Sequence, residues 1–219
     1  MRWPLTEGFV WPTTRTLVVI GAVVILVGGV AGGVWYWLSA QQARATSAYA
    51  DALLRAQASR NPQVPPDARA AAARGLEAVL QLYPAAAMAP QAAYELAGLR
   101  YADRQYPAAR SAYEVAAGKG AAGTVRTLSR VGIAYTWEAE RNFPKAIETL
   151  QALLADLRPA DFFYEELLLD LATAQELAGR KNDAVQTYRR ILKDVANTRR
   201  AEEVRARLAS LGATAEGGR

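Results

Sequence analysis

The sequence predicts an all-α fold: a single N-terminal transmembrane helix followed by an α-solenoid of about three to four helix pairs with a C-terminal capping helix. Three observations predict it. Residues 17–38, LVVIGAVVILVGGVAGGVWYWL, run for 22 positions without a charge. Beyond residue 40, Ala, Leu, Arg, Glu and Gln dominate, and apolar residues recur at three and four, the period of a helix, with strand signals nearly absent. Finally, a small-large-apolar triplet recurs as Ala72/Leu76/Val79, Ala109/Tyr113/Ala116, Ala146/Leu150/Leu153 and Ala184/Tyr188/Ile191, with its first alanines 37, 37 and 38 residues apart. Such self-similarity marks helix pairs that cannot bury their apolar faces alone and stack on their neighbours.

Residues 1–16 form a short polar segment, with Arg2 and Arg15 set against Glu7 and with Trp3 and Trp11 as interface aromatics. The transmembrane helix is expected over residues 17–40. Its uncharged stretch is about 33 Å long at 1.5 Å per residue, enough for a hydrocarbon core near 30 Å, and Trp35, Tyr36 and Trp37 would sit at headgroup level. A cleaved signal peptide is the rival, since Ala43-Arg44-Ala45 has the small-x-small form of a cleavage site. The stretch exceeds a signal h-region and ends in three bulky rings, which favours a retained anchor. Arg2 and Arg15 precede the span while Arg44, Arg55 and Arg60 follow it, so charge counting leaves its orientation open. Within it Gly28, Gly29, Gly32 and Gly33 make two overlapping G-x-x-x-G pairs, a strip on which a partner helix or a second copy can reach backbone contact.

The repeat domain is expected over residues 41–212, with 213–219 a flexible tail. Residues 41–59 continue helically with Ala45, Tyr49, Ala52, Leu53 and Ala56 on one face, and Asn61 to Pro66 then breaks the chain. A helix from about Ala68 to Tyr83 follows, for which Asp67 is the expected N-cap. The centre of the pattern is Ala89–Ala117, two short amphipathic helices broken at Arg104-Gln105. Gly118 to Gly123 form a loop, after which Thr124 is the expected cap of the next helix. The following pair ends before Pro159, Asp161 is expected to cap the next, and that helix stops at Gly179. A last helix from about Thr198 to Leu211, with Val204, Leu208 and Leu211 on one face, supplies the polar-backed end a solenoid needs.

Twelve residues before three of the marker alanines stand Leu96-Ala97, Ile133-Ala134 and Leu171-Ala172. These resemble the first-helix signature of tetratricopeptide repeats, in which small residues let paired helices approach. Tyr106 and Phe143 would fill the bend within a pair, and Pro107 and Pro144 open the second helix, where a missing N–H costs nothing. The period exceeds the usual 34 of that family, and the third bend carries Lys181 in place of an aromatic.

Composition removes several kinds of chemistry. The chain has no His and no Cys, which excludes Ser-His and Cys-His nucleophilic sites, the usual zinc sites and a lipid-modified cysteine anchor. Gly118–Gly123 lacks the preceding strand and the G-K-[ST] ending of a phosphate loop. Glu165, Glu166 and Asp170 read as an exposed acidic helix face rather than as an acid/base pair. No enzyme, cofactor or metal is expected. The net charge of +5 arises from 26 basic residues interleaved with 21 acidic ones, a mixed solvated surface rather than a nucleic-acid face. Arg189-Arg190 and Arg199-Arg200 are expected near helix C-termini, where cations favour the macrodipole.

Binding remains. The resemblance to tetratricopeptide repeats implies a groove lined by first helices, at positions fifteen, eleven and eight before each marker. Here these are Tyr94, Gly98 and Tyr101; Val131, Tyr135 and Glu138; Leu169, Thr173 and Glu176. Family members that clamp a C-terminal carboxylate use Lys and Asn there, and none is present. Tyr94, Tyr101, Val131, Tyr135, Glu138 and Leu169 would instead offer an apolar, tyrosine-lined surface for extended or helical peptide segments. Alternatively, some of them pack between repeats.

One membrane helix, a continuing Ala-rich helix (ARATSAYADALLRA) and then YPAAAMAPQAAYELAGLRYADRQYPAARSAYEVAA together resemble the YfgM family. Those are ancillary subunits of the SecYEG translocon, anchored in the bacterial inner membrane with a periplasmic tetratricopeptide-like domain. Tyr83-Pro84 and the Ala-rich pair are also similar to the periplasmic division coordinator of the Tol-Pal system and to outer-membrane assembly lipoproteins, which lack a retained helix or use a lipidated cysteine. The resemblance implies contacts with translocon subunits, newly translocated chains or periplasmic chaperones. A cytosol-facing import receptor and an assembly scaffold of another envelope complex are the alternatives.

Overall fold

The structure, a computed structural model, describes residues 14–214 apart from 60, 62, 119, 196 and 197, with side chains from residue 23 onward. Arg2, Trp3, Glu7, Trp11, the Arg15 side chain, Pro62 of the expected break and the end of the tail lie outside the described residues. Among the described residues the regular structure is helical: α1 (Thr14–Ala58), α2 (Pro66–Leu82), α3 (Ala89–Ala102), α4 (Tyr106–Ala117), α5 (Gly123–Ala139), α6 (Phe143–Ala155), α7 (Tyr164–Leu177), α8 (Lys181–Asp194) and α9 (Ala201–Ser210). The chain divides into two compact units, Met1–Ser47 and Ala48–Arg219.

In the first unit α1 is long and apolar enough, by length and composition, to cross a membrane. Val23 to Leu38 are exposed along it, and a Cβ added at Gly28, Gly29, Gly32 or Gly33 would meet nothing within 4 Å.

In the second unit each helix from α2 onward packs on the next, and α3 also touches α5. This is the contact order of stacked hairpins: α3/α4, α5/α6 and α7/α8, preceded by α2 with the end of α1 and closed by α9. The recurring triplet explains the stacking. Ala109, Ala146 and Ala184, with Tyr113, Leu150 and Tyr188 and then Ala116, Leu153 and Ile191, are all buried, as are Leu96-Ala97, Ala134 and Leu171-Ala172. The outlying member is Val79, which is partly exposed.

The bend within each hairpin is built the same way three times. Arg104, Arg141 and Gly179 take φ of 59°, 60° and 72°, the left-handed conformation. At each, two N–H groups return to the end of the preceding helix: Arg104 to Tyr101 O and Gln105 to Arg100 O, Arg141 to Glu138 O and Asn142 to Trp137 O, Gly179 to Glu176 O and Arg180 to Gln175 O. This pairing satisfies carbonyls that a helix end otherwise leaves open. Gly212 ends α9 likewise, with φ of 69° and Ala213 N donating to Leu208 O. Tyr106 packs edge-on to Tyr101 at 5.4 Å across the first bend.

Helix starts follow proline more than side-chain capping. Pro stands in the first two positions of α2, α3, α4 and α6. The expected caps Asp67, Thr124 and Asp161 do not act as such. Asp67 lies inside the first turn of α2, and Thr124 inside α5, which starts at Gly123. Asp161 instead accepts Arg158 N–H at 2.7 Å, three residues short of α7. Asn142 caps α6 through Lys145 N. The last helix starts at Ala201, not Thr198, whose hydroxyl donates to Glu165. Arg199 and Arg200 therefore precede a helix rather than end one, and Arg200 pairs with Glu166 at 2.8 Å. Arg189 and Arg190 lie within α8.

The apolar core has two parts. One gathers Tyr49, Leu76, Leu96 and Tyr113 from the end of α1 through α4, and the other gathers Leu150, Leu168, Tyr188 and Leu208 from α5 through α9. They join across α4 and α5. A Cβ at Gly132 would come within 2.5–2.6 Å of the Tyr113 ring, so the glycine seats that ring against α5. Beside it, the Arg110 guanidinium lies 3.3 Å from the centroid of the Trp137 ring, pairs with Glu140 at 2.8 Å and donates to Thr136 Oγ1 at 3.1 Å.

Candidate functional site

Stacking places α3, α5 and α7, the first helices of the three hairpins, side by side. Neighbouring helices then present different flanks to the space between them. α5 contributes Val131 and Tyr135, fifteen and eleven residues before its marker, whereas α7 contributes Glu166 and Asp170, eighteen and fourteen before its own. With Tyr94, Tyr113 and Phe163 they enclose a cleft of about 200 Å³.

The cleft is lined by both aromatic and acidic side chains. Tyr94 and Tyr113 stack at 5.7 Å with their planes tilted by 58°. Tyr135 Oη donates to Asp170 Oδ2 at 2.9 Å, and Glu138 lies one turn further along α5. Glu138 Oε1 is buried and has no hydrogen-bond partner among the described residues. Burial, then the charge of Asp170, pushes the Glu138 carboxyl up to about 7. Asp170 is raised by burial, an effect opposed by the Tyr135 hydrogen bond and by Arg200. Burial also raises the Tyr135 hydroxyl, with Asp170 adding to it. Several carboxylates between other helices have cations: Arg69 meets Asp103 at 2.9 Å, Arg130 meets Asp156 at 2.9 Å, and Arg100 meets Glu77.

The expected groove residues are divided by this geometry. Tyr94, Val131 and Tyr135 line the cleft. Tyr101 is half-buried against Tyr106 and the N-terminal core, and Gly98 and Thr173 are exposed. Leu169 is 8% exposed and belongs to the C-terminal core rather than to the cleft. Glu176 accepts a hydrogen bond from the Tyr188 hydroxyl and is thereby tied to α8. Asp170 is not on an exposed acidic face, since Tyr135 of the preceding hairpin reaches it. Tyr113, Phe163, Glu166 and Asp170 were not expected in the groove; the spacing of eighteen and fourteen before a marker is the signal that identifies the last two.

A larger cleft of about 570 Å³ lies on the other side, between α2 and α4, over Leu80, Leu96 and Ala112. Its register recurs at Leu154, Leu171 and Thr187, where a cleft of about 400 Å³ lies between α6 and α8. Recurrence at equivalent positions identifies it as a product of stacking. The smaller cleft is lined by Glu166 and Asp170, whereas Glu138, whose Oε1 lacks a partner among the described residues, is not part of its lining.

The sequence profile of a tetratricopeptide repeat-like domain matches residues 10–213. The chain belongs to that family. Tetratricopeptide repeat-like domains generally serve protein–protein interaction, as scaffolds rather than catalysts, through the long surfaces their stacked hairpins create. Two solved structures share the fold of this tetratricopeptide repeat-like chain. One is a point-substituted form of nearly identical TPR-like repeats from a Podosopora anserina putative kinesin light chain, at 20% identity and a TM-score of 0.57, covering 78% of this chain and 85% of that one. The other, of the same kind of repeats, has 16% identity and a TM-score of 0.50, covering 78% and 96%. No curated protein matches the chain. Among the described residues no group of three or more acidic side chains is placed to hold a metal ion.

Proposed function

We propose that this protein is a membrane-anchored polypeptide-binding subunit, ancillary to the Sec translocon of the bacterial inner membrane, whose periplasmic repeat domain contacts translocated chains or chaperones. The observation that carries the binding role is the cleft between α3, α5 and α7, where Tyr94 and Tyr135 stay part-exposed while the repeat's triplet residues from α4 onward are buried. Half-exposed rings give large contact area at low entropic cost, which suits extended or helical segments. The span over residues 17–38, within a helix of sufficient length and apolarity, supports the anchor. In this reading residues 1–16 precede the membrane, 41–212 form the binding domain and 213–219 are a tail. The translocon itself rests on the resemblance to the YfgM family.

Topology and partners test the reading together. A protease added from the periplasmic side should degrade the repeat domain, and purification in gentle detergent should bring down translocon subunits or periplasmic chaperones. A protected domain would favour a cytosol-facing receptor. Co-purification of a fixed envelope complex lacking the translocon would favour an assembly scaffold, a role that the open Gly28–Gly33 strip also suits.

A further inference from the structure

We propose that the seam between α5 and α7 is a proton-sensitive latch: with Glu138 neutral the two helices stay joined through Tyr135 and Asp170, and with Glu138 ionised they part locally, ahead of the rest of the domain. This stands apart from the reading of the cleft as a polypeptide site. Its basis is geometric. Among the described residues the side-chain hydrogen bond that joins α5 to α7 runs from Tyr135 Oη to Asp170 Oδ2 at 2.9 Å. One turn along α5 from Tyr135, Glu138 Oε1 is buried and has no hydrogen-bond partner among the described residues. A neutral carboxyl bears that position at lower cost, whereas a carboxylate held there has lost water and gained no donor. Glu138 is not part of the cleft lining, but Tyr135 and Asp170 are, so its proton acts on the cleft wall through them.

The groups that face Glu138 bring it no compensating cation. They are Tyr101 of α3, Tyr135 of its own helix and Asp170 of α7; Tyr106 of α4 acts on Tyr101, and Glu166 acts on Tyr135 and Asp170. Arg110 of α4 is engaged by Glu140, Thr136 and Trp137, and Arg200 by Glu166. A negative charge on Glu138 therefore meets that of Asp170 across the seam, at the point where the Tyr135 hydrogen bond holds it together. The direction with pH follows. Burial, then the charge of Asp170, raises the Glu138 carboxyl from 4.5 to about 7 in the joined state, and parting returns it towards its ordinary value. The joined state thus holds the proton more tightly, so the seam loosens as pH climbs from 4.5 to about 7 and levels off above.

The test is hydrogen exchange of the full chain in detergent, followed by mass spectrometry at about pH 5.5 and about pH 8 and corrected for the intrinsic exchange rate. Amides in residues 132–139 of α5 and 164–171 of α7 should exchange faster than the slowest amides of α2 and α8. Their protection should fall about tenfold from the lower pH to the higher, the full effect of the shift being reduced by solvent screening. Glu138→Gln, which cannot ionise, should hold that protection within about twofold across the same range. If seam protection in the wild-type protein is independent of pH, or if Glu138→Gln keeps the whole pH step, Glu138 does not work the latch. If the seam amides are as slow as the slowest amides of α2 and α8, α5 and α7 part only with the whole domain and the local device is wrong. The wild-type measurements need no variant, so they decide the matter even if the substitution fails to fold.

Discussion

Replacing Glu138 by glutamine should stabilise the protein above neutral pH and change little in acid. The carboxyl is half-buried, and burial followed by the charge of Asp170 lifts its pKa from 4.5 to about 7. A folded-state pKa above the unfolded one means that the folded chain holds this proton more tightly. The penalty is therefore absent below pH 4.5, grows as pH rises to about 7 and is complete above it. At full strength such a displacement is worth about 3 kcal/mol. The side chain keeps some contact with solvent, and screening reduces this to about 1–2 kcal/mol. Glutamine preserves the shape and cannot ionise. For a chain of this size the gain corresponds to a rise in Tm of roughly 3–6 °C. Thermal melts followed by far-UV circular dichroism at about pH 8 and about pH 4.5 measure it, with wild type as reference at each pH. An equal rise at both pH values would show that the substitution acts through packing rather than charge. A lower Tm at about pH 8 would mean that the carboxylate is satisfied after all.

Other substitutions probe the frame around the cleft. Arg104→Gly and Arg141→Gly should each stabilise by about 1 kcal/mol in urea titrations and add when combined, because each removes a side chain from a left-handed position that Gly179 already occupies without strain. Gly132→Ala should cost about 1–3 kcal/mol, since the new methyl group must displace the Tyr113 ring; pairing it with Tyr113→Leu should recover part of the loss in a double-mutant cycle. Tyr94→Ala with Tyr135→Ala should weaken peptide binding but also lower Tm measurably, because Tyr94 packs on Tyr113 and Tyr135 holds Asp170. Gly29→Leu should leave the fold unchanged, having open space around it, and loosen self-association in a membrane-helix dimerisation assay; unchanged association would remove the helix-packing strip from consideration.

Much of this architecture is written locally. The alanine triplets and the Leu-Ala, Ile-Ala and Leu-Ala pairs show which face of each helix turns inward, because a helix-period stripe and its 37-residue echo both lie within one stretch of chain. Helix ends were less legible. Asp67, Thr124 and Asp161 have the right chemistry for capping, but proline and the preceding loop set where α2, α5 and α7 start. The cleft was half legible. Tyr94, Val131 and Tyr135 follow from one helix's register, whereas Asp170 and Glu166 enter it from the next hairpin. Which flank of α7 meets α5 depends on how successive hairpins rotate, a property of the stack that no single helix carries. Leu169 shows the converse: the groove register assigns it to the open face, and it is buried in the C-terminal core.

The division of the apolar interior has a dynamic consequence. An array of this kind opens by parting neighbours, and the segments on either side of a weak join exchange their amide protons as separate cooperative blocks. At the join between α4 and α5, the Tyr113 ring seated on Gly132, the Arg110 guanidinium shared by three partners and Ile133 link the two aliphatic clusters. Amide exchange read residue by residue should show whether the block that begins with Tyr49 and the block that ends with Leu208 open separately or as one.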